Sequence, residues 1–105
     1  MSHEAFELFL DSAPKSEGYE VIGRTYKNAF GVDETIILHK NYWDYVDWLV
    51  ENGIDIQEWI TECDKYRDDK PLSENFMEWL YWDECERHRS GTHTPTDNPP
   101  LGYQE

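Results

Sequence analysis

A chain of 105 residues has room for one domain with a modest core. Its 23 Asp and Glu stand against 9 Lys and Arg, a formal net charge of −14 that repels nucleic acid and anionic membrane and favours cationic partners. Aromatic residues reach 15%, with 5 Trp and 7 Tyr, and that excludes a disordered acidic polymer for the middle of the chain.

Taken in order, Ser2 to Leu10 is expected to form a short helix, capped by Ser2 and with Phe6, Phe9 and Leu10 on one face. The start, Met1-Ser2-His3-Glu4, lacks the basic and apolar regions of a signal peptide, so a cytoplasmic location is expected, in a bacterium or a phage-infected cell. Pro14 to Gly18 has linker composition. From Tyr19 the chain is extended through Val21, Ile22, Thr25 and Tyr26, and Asn28 to Val32 is a turn around Gly31. Thr35 to Leu38 is a short strand rich in β-branched residues. Such a strand needs a partner. Two are open: the same strand of a second copy, or the segment after Tyr19. The second segment is less regular, so an antiparallel ribbon between two copies over a shared four-helix core ranks first.

A first helix is expected from about Asn41 to Asn52. Asn41 is its cap, and Trp43, Val46 and Val50, flanked by Tyr42 and Leu49, form its apolar face. Gly53 suits the left-handed conformation that ends a helix. A second helix opens on a capping box, Asp55 with Glu58, and carries a buried stripe of Ile56, Trp59, Ile60 and Cys63. Cys63 and Cys85 form no CxxC pair, and a buried free thiol is expected for Cys63. After the polar break Asp68-Asp69-Lys70-Pro71, a third helix runs from its cap Ser73 to about His88, with Phe76, Trp79 and Leu80 inward. The tail from Ser90 to Glu105 has almost nothing to bury and is expected to be mobile. The organisation is therefore an arm over 1–32, a domain over 33–89 and a disordered tail over 90–105. No run approaches the ~20 apolar residues of a membrane span.

Ile36 and Leu38 in the strand, Tyr42-Trp43 at the first helix, Gly53-Ile54-Asp55 at the turn, and Trp59-Ile60 with Cys63-Asp64 in the second helix resemble a ribbon-helix-helix domain. The continuation Leu72-Ser73-Glu74-Asn75-Phe76 is similar to the bacterial subtype with a third, C-terminal helix. The resemblance covers about half the chain and implies a mainly α, ribbon-helix-helix-like fold, dimeric through its ribbon. It also implies DNA read by that ribbon in the major groove. On that reading the DNA-contacting residues are Asp33, Thr35 and Ile37 on the outer face, with Arg24, Lys27 and Lys40 on phosphates.

The residues themselves point elsewhere. Base edges are matched by Arg, Lys, Asn or Gln, and the outer face offers an acid, a hydroxyl and an aliphatic. Asp55 and Glu58 occupy the helix N-terminus where phosphate would bind. Glu34 is out of place where an apolar residue is expected. His3, His39, His88 and His93 lack metal-ligand spacing, there is no phosphate loop, and no pocket marks out any carboxylate pair. No enzyme activity, cofactor or metal is expected. Asp44, Asp47 and Glu51 share one face of the first helix, and Glu58 and Glu62 line up on the second. Surface solvation is the plain explanation for such rows. The sharper one is imitation of a phosphate backbone. The expected function is an acidic, protein-binding inhibitor or adaptor of the DNA-mimicking anti-restriction or anti-CRISPR kind. It would occupy the basic surface of a nucleic-acid-binding enzyme or complex through Asp44, Asp47, Glu51, Glu58 and Glu62, with Trp48, Tyr81 and Trp82 as anchors. The alternatives are a ribbon-helix-helix transcriptional repressor and an antitoxin-like module acting through its tail.

Overall fold

Two strands form first in chain order and pair with each other. In the computed structural model, which describes residues 20–96, 100 and 101, β1 (Val21–Lys27) and β2 (Asp33–His39) make an antiparallel hairpin. Val21 lies opposite His39 at one end and Lys27 opposite Asp33 at the other. The turn is built by Asn28, whose Oδ1 accepts the N–H groups of Phe30 at 2.9 Å and Val32 at 3.1 Å, and by Gly31 at φ +76°. This is side-chain turn chemistry that needs no second chain. The ribbon expected between two copies is thus closed within one chain. The physical reason is that a short loop brings its ends together at far smaller entropic cost than association of two molecules. The expected helix over 2–10 and the linker over 14–18 lie outside the described residues.

Three helices follow: α1 (Lys40–Glu51), α2 (Ile56–Lys65) and α3 (Leu72–Arg89). The order of strand, helix, turn, helix and third helix is the expected one. Ile36 and Leu38 point inward from β2 and are fully buried with Trp43, Tyr45 and Leu49 of α1, Ile60 and Cys63 of α2, and Phe76 and Leu80 of α3. Trp43 is the centrepiece. Its indole N–H donates to the Ile22 carbonyl at 2.8 Å, and its ring meets Tyr26 at 6.1 Å and Phe76 at 6.4 Å, so one side chain joins hairpin, α1 and α3. Val50, expected on the apolar face, is 52% exposed, because the core takes Tyr45 and Leu49 instead.

The helix starts differ in detail from expectation. Asn41 does not cap α1; the helix begins at Lys40 after His39, and Asn41 is buried inside its first turn. Gly53, at φ +91°, ends that helix as expected. Asp55 caps α2 by accepting the Glu58 N–H at 3.1 Å. Ser73 does not cap α3, which follows Pro71. Its Oγ instead accepts the Ile37 N–H of β2 at 2.9 Å, tying the middle of that strand to α3.

The tail also departs from expectation. Glu84 of α3 is 2% exposed, and a buried carboxylate needs donors. Thr94 Oγ1 at 3.1 Å, Thr96 Oγ1 and the Leu101 N–H at 2.8 Å supply them. Thr94, Thr96 and Leu101 are buried, so this part of the segment over 90–105 is fixed on α3 by polar contacts that a search for apolar residues overlooks.

Candidate interaction surface

The outer face of the hairpin is Thr25 and Lys27 beside Thr35 and Asp33, with Ile37 41% exposed. Asp33, Thr35 and Ile37 therefore face outward, as their alternation predicts. The groups on this face are occupied with each other. Thr25 and Thr35 hydroxyls are 3.1 Å apart, and Lys27 Nζ lies 2.6 Å from Asp33. Lys40 Nζ lies 3.0 Å from Asp44. Arg24 donates to both oxygens of Asp47, at 2.8 and 3.2 Å, and lies over the Trp43 ring at 4.7 Å. The Asp47 hydrogen bonds push the Arg24 pKa up. The cations assigned to phosphate on the DNA reading are all engaged by carboxylates of their own chain.

That pattern extends beyond the hairpin. Lys65 pairs with Glu62 at 2.9 Å, Lys70 with Glu78 at 2.7 Å, Arg87 with Asp83 at 2.8 Å, and Arg89 with Glu86. Arg67 bridges Glu34 and Asp64, each at 2.8 Å, and Asp64 also accepts the Ala29 N–H of the hairpin turn at 2.8 Å. Glu34, out of place in the sequence, is therefore linked to Asp64 of α2 through Arg67. Gln57 adds a second tie, accepting the Lys27 N–H at 3.0 Å and donating to the Lys27 carbonyl at 2.7 Å. Every lysine and arginine among the described residues has a carboxylate partner.

The acids divide accordingly. Of the expected binding rows, Asp44, Asp47 and Glu62 are neutralised locally. Glu51 and Glu58 are exposed and make no ion pair among the described residues, and Asp55 stands exposed between them at the α1–α2 turn. The structure thus moves the open carboxylates from the flank of α1 to its C-terminal end.

The expected aromatic anchors divide too. Trp48 is half-buried, packed on Tyr45 at 5.6 Å and covered by Arg87 at 5.3 Å. Beneath it, Tyr45 OH donates to Asp83 at 2.5 Å, and burial first, then that bond, pushes the phenol pKa up. Tyr81 and Trp82 are 38% and 62% exposed and meet edge-on. Trp82 joins Trp59 and Trp79 in an open cleft of about 390 Å³ between α2 and α3, rimmed by Asp83 and Glu86. Trp59 and Trp79 were expected in the core; both remain partly exposed. The sequence signal for this cleft is Trp79 and Trp82 three apart on α3, each followed four residues later by an acid.

Among the described residues no group of His, Cys, Asp and Glu is arranged to hold a metal, and no helix is long and apolar enough to cross a membrane. Compared with known proteins, the chain matches no family model, no curated protein and no solved structure.

Proposed function

We propose that this protein is an acidic inhibitor or adaptor that binds a cationic surface on a nucleic-acid-binding protein, in the manner of DNA-mimicking anti-restriction and anti-CRISPR proteins. The observation that carries the reading is the pairing of every described lysine and arginine with a carboxylate, in a chain of net charge −14. Binding a duplex requires cations that release counterions from phosphates. Here each cation must first leave a carboxylate, in a field that repels the duplex. The reverse holds for a basic groove, which gains from Glu51, Asp55 and Glu58 without breaking any internal ion pair.

The scaffold we assign is ribbon-helix-helix-like, with its ribbon closed inside one chain. Since β1 supplies the partner strand and Ser73 holds β2, we take one chain as the working unit in place of the expected homodimer; sedimentation at micromolar concentration checks this. The function is tested in two steps. Anisotropy with duplex pools at 50 mM salt is expected to give no binding, and a selected operator bound tightly at physiological salt would overturn the reading. Capture from the native host is expected to yield a basic nucleic-acid-binding protein whose DNA competes with this chain. Glu51→Gln, Asp55→Asn and Glu58→Gln together, which preserve the cap, should weaken that complex more than Asp44→Asn with Asp47→Asn.

The transcriptional-repressor reading has one observation in its favour, the outward Thr35 and Ile37, and the same duplex experiment decides it.

A further inference from the structure

The aromatic side chains show how this chain handles a cation. Of its 5 tryptophans, two carry an arginine of the same chain on the ring. Arg24 lies over Trp43 and is held by Asp47, four residues further along α1. Arg87 lies over Trp48 and is held by Asp83. In each case a planar guanidinium meets both an indole ring and a carboxylate, so that stacking and charge act together.

The remaining three tryptophans are Trp59, Trp79 and Trp82, and among the described residues no cation stands over any of them. They converge on the α2–α3 cleft. Trp59 and Trp79 meet edge-on, centroids 6.4 Å apart and planes at 76°, so two indole walls stand at nearly a right angle. Trp82 forms the exposed third side. The carboxylate spacing of Trp43 and Asp47 recurs here in Trp82 and Glu86. Asp83 is already engaged by Tyr45 and Arg87, so Glu86 is the acid that remains. Its own partner is Arg89, with side chains 67% and 69% exposed, so an incoming guanidinium exchanges one exposed ion pair for another that adds an indole face. Indole walls and a rim carboxylate are present, and the guanidinium is missing.

We infer that the Trp59–Trp79–Trp82 cleft seats an arginine side chain of the partner protein. This inference rests on the proposed function and adds to it the place and the chemistry of one anchor contact. The occupant follows from charge complementarity and from the two internal examples. A guanidinium stacks on indole and reaches Glu86. An apolar side chain would make no use of the Glu86 carboxylate, and an acidic one would be repelled by it.

The test uses the full-length chain and a hexa-arginine peptide as probe, followed by NMR of the tryptophan indole N–H groups. The Trp59, Trp79 and Trp82 signals are expected to move on titration while the buried Trp43 signal stays. Trp82→Ala leaves the net charge unchanged and should weaken the peptide about tenfold. Trp82→Phe should recover part of the loss, and a hexa-lysine peptide should bind less tightly than hexa-arginine. Equal affinity for Trp82→Ala and wild type, or equal affinity for the two peptides, overturns the cleft as an arginine seat. In either case tight binding that still responds to the Glu51, Asp55 and Glu58 substitutions leaves the acidic-surface reading standing. No binding of hexa-arginine to the wild type at low salt overturns both.

Discussion

Trp43 and Trp82 are the same residue put to opposite uses. Around Trp43 the fold is self-sufficient: its ring is stacked, its N–H bonded, and its covering arginine held by Asp47. Around Trp82 the packing is open: the ring is 62% exposed, and among the described residues Glu86 is paired with an equally exposed arginine. The lesson is that aromatic content divides into a part that stabilises the molecule and a part available to something outside it. Only surroundings distinguish the two, because both tryptophans sit at helical spacing beside other apolar residues.

Substitution should separate these parts sharply. Trp43→Ala removes a fully buried ring and the bond that anchors β1, and a loss of about 3–5 kcal/mol in denaturant unfolding is expected, enough to unfold much of the chain. Glu84→Ala is the next largest. It deprives two threonine hydroxyls and the Leu101 N–H of their acceptor, so about 1–3 kcal/mol should be lost, with faster proteolysis beyond Ser90. Trp82→Ala should change stability by no more than about 0.5 kcal/mol while reducing binding of the arginine probe. A Trp82→Ala protein as damaged as Trp43→Ala would show that the cleft is a misjudged piece of core.

Alkaline titration probes the closed part without mutation. Burial pushes the Cys63 thiol from 9.0 up to about 12, despite the Asn75 hydrogen bond, and raises the Tyr45 phenol. For both groups the folded pKa lies above the unfolded one, so their contribution is complete below pH 9.0 and falls as pH rises toward 12. Stability followed by near-ultraviolet circular dichroism should decline in that window. At pH 8 a thiol reagent should label Cys85 and leave Cys63 untouched, since the thiolate is the reactive form. Labelling of both at equal rates would mean that the core opens far more readily than its burial implies.

Much of this architecture is legible in the sequence. Gly53 ends α1 and Asp55 caps α2 because those choices are local, settled by backbone conformation and a side chain three residues away. The inward pair Ile36 and Leu38, and the outward set Asp33, Thr35 and Ile37, follow from strand alternation alone. The large acid excess likewise belongs to composition.

What the tertiary structure decided was partnership across distance. It set β1 against β2 within one chain, gave Glu34 to Arg67 and Ser73 to Ile37, and drew Thr94, Thr96 and Leu101 onto Glu84. It spent Asp44 and Asp47 on Lys40 and Arg24, leaving the carboxylates at the α1–α2 turn open. It also gathered three tryptophans from two helices into one cleft. A sequence specifies which groups need a partner when buried or charged, but the identity of that partner depends on which elements come to lie side by side, and that is fixed only when the whole core closes.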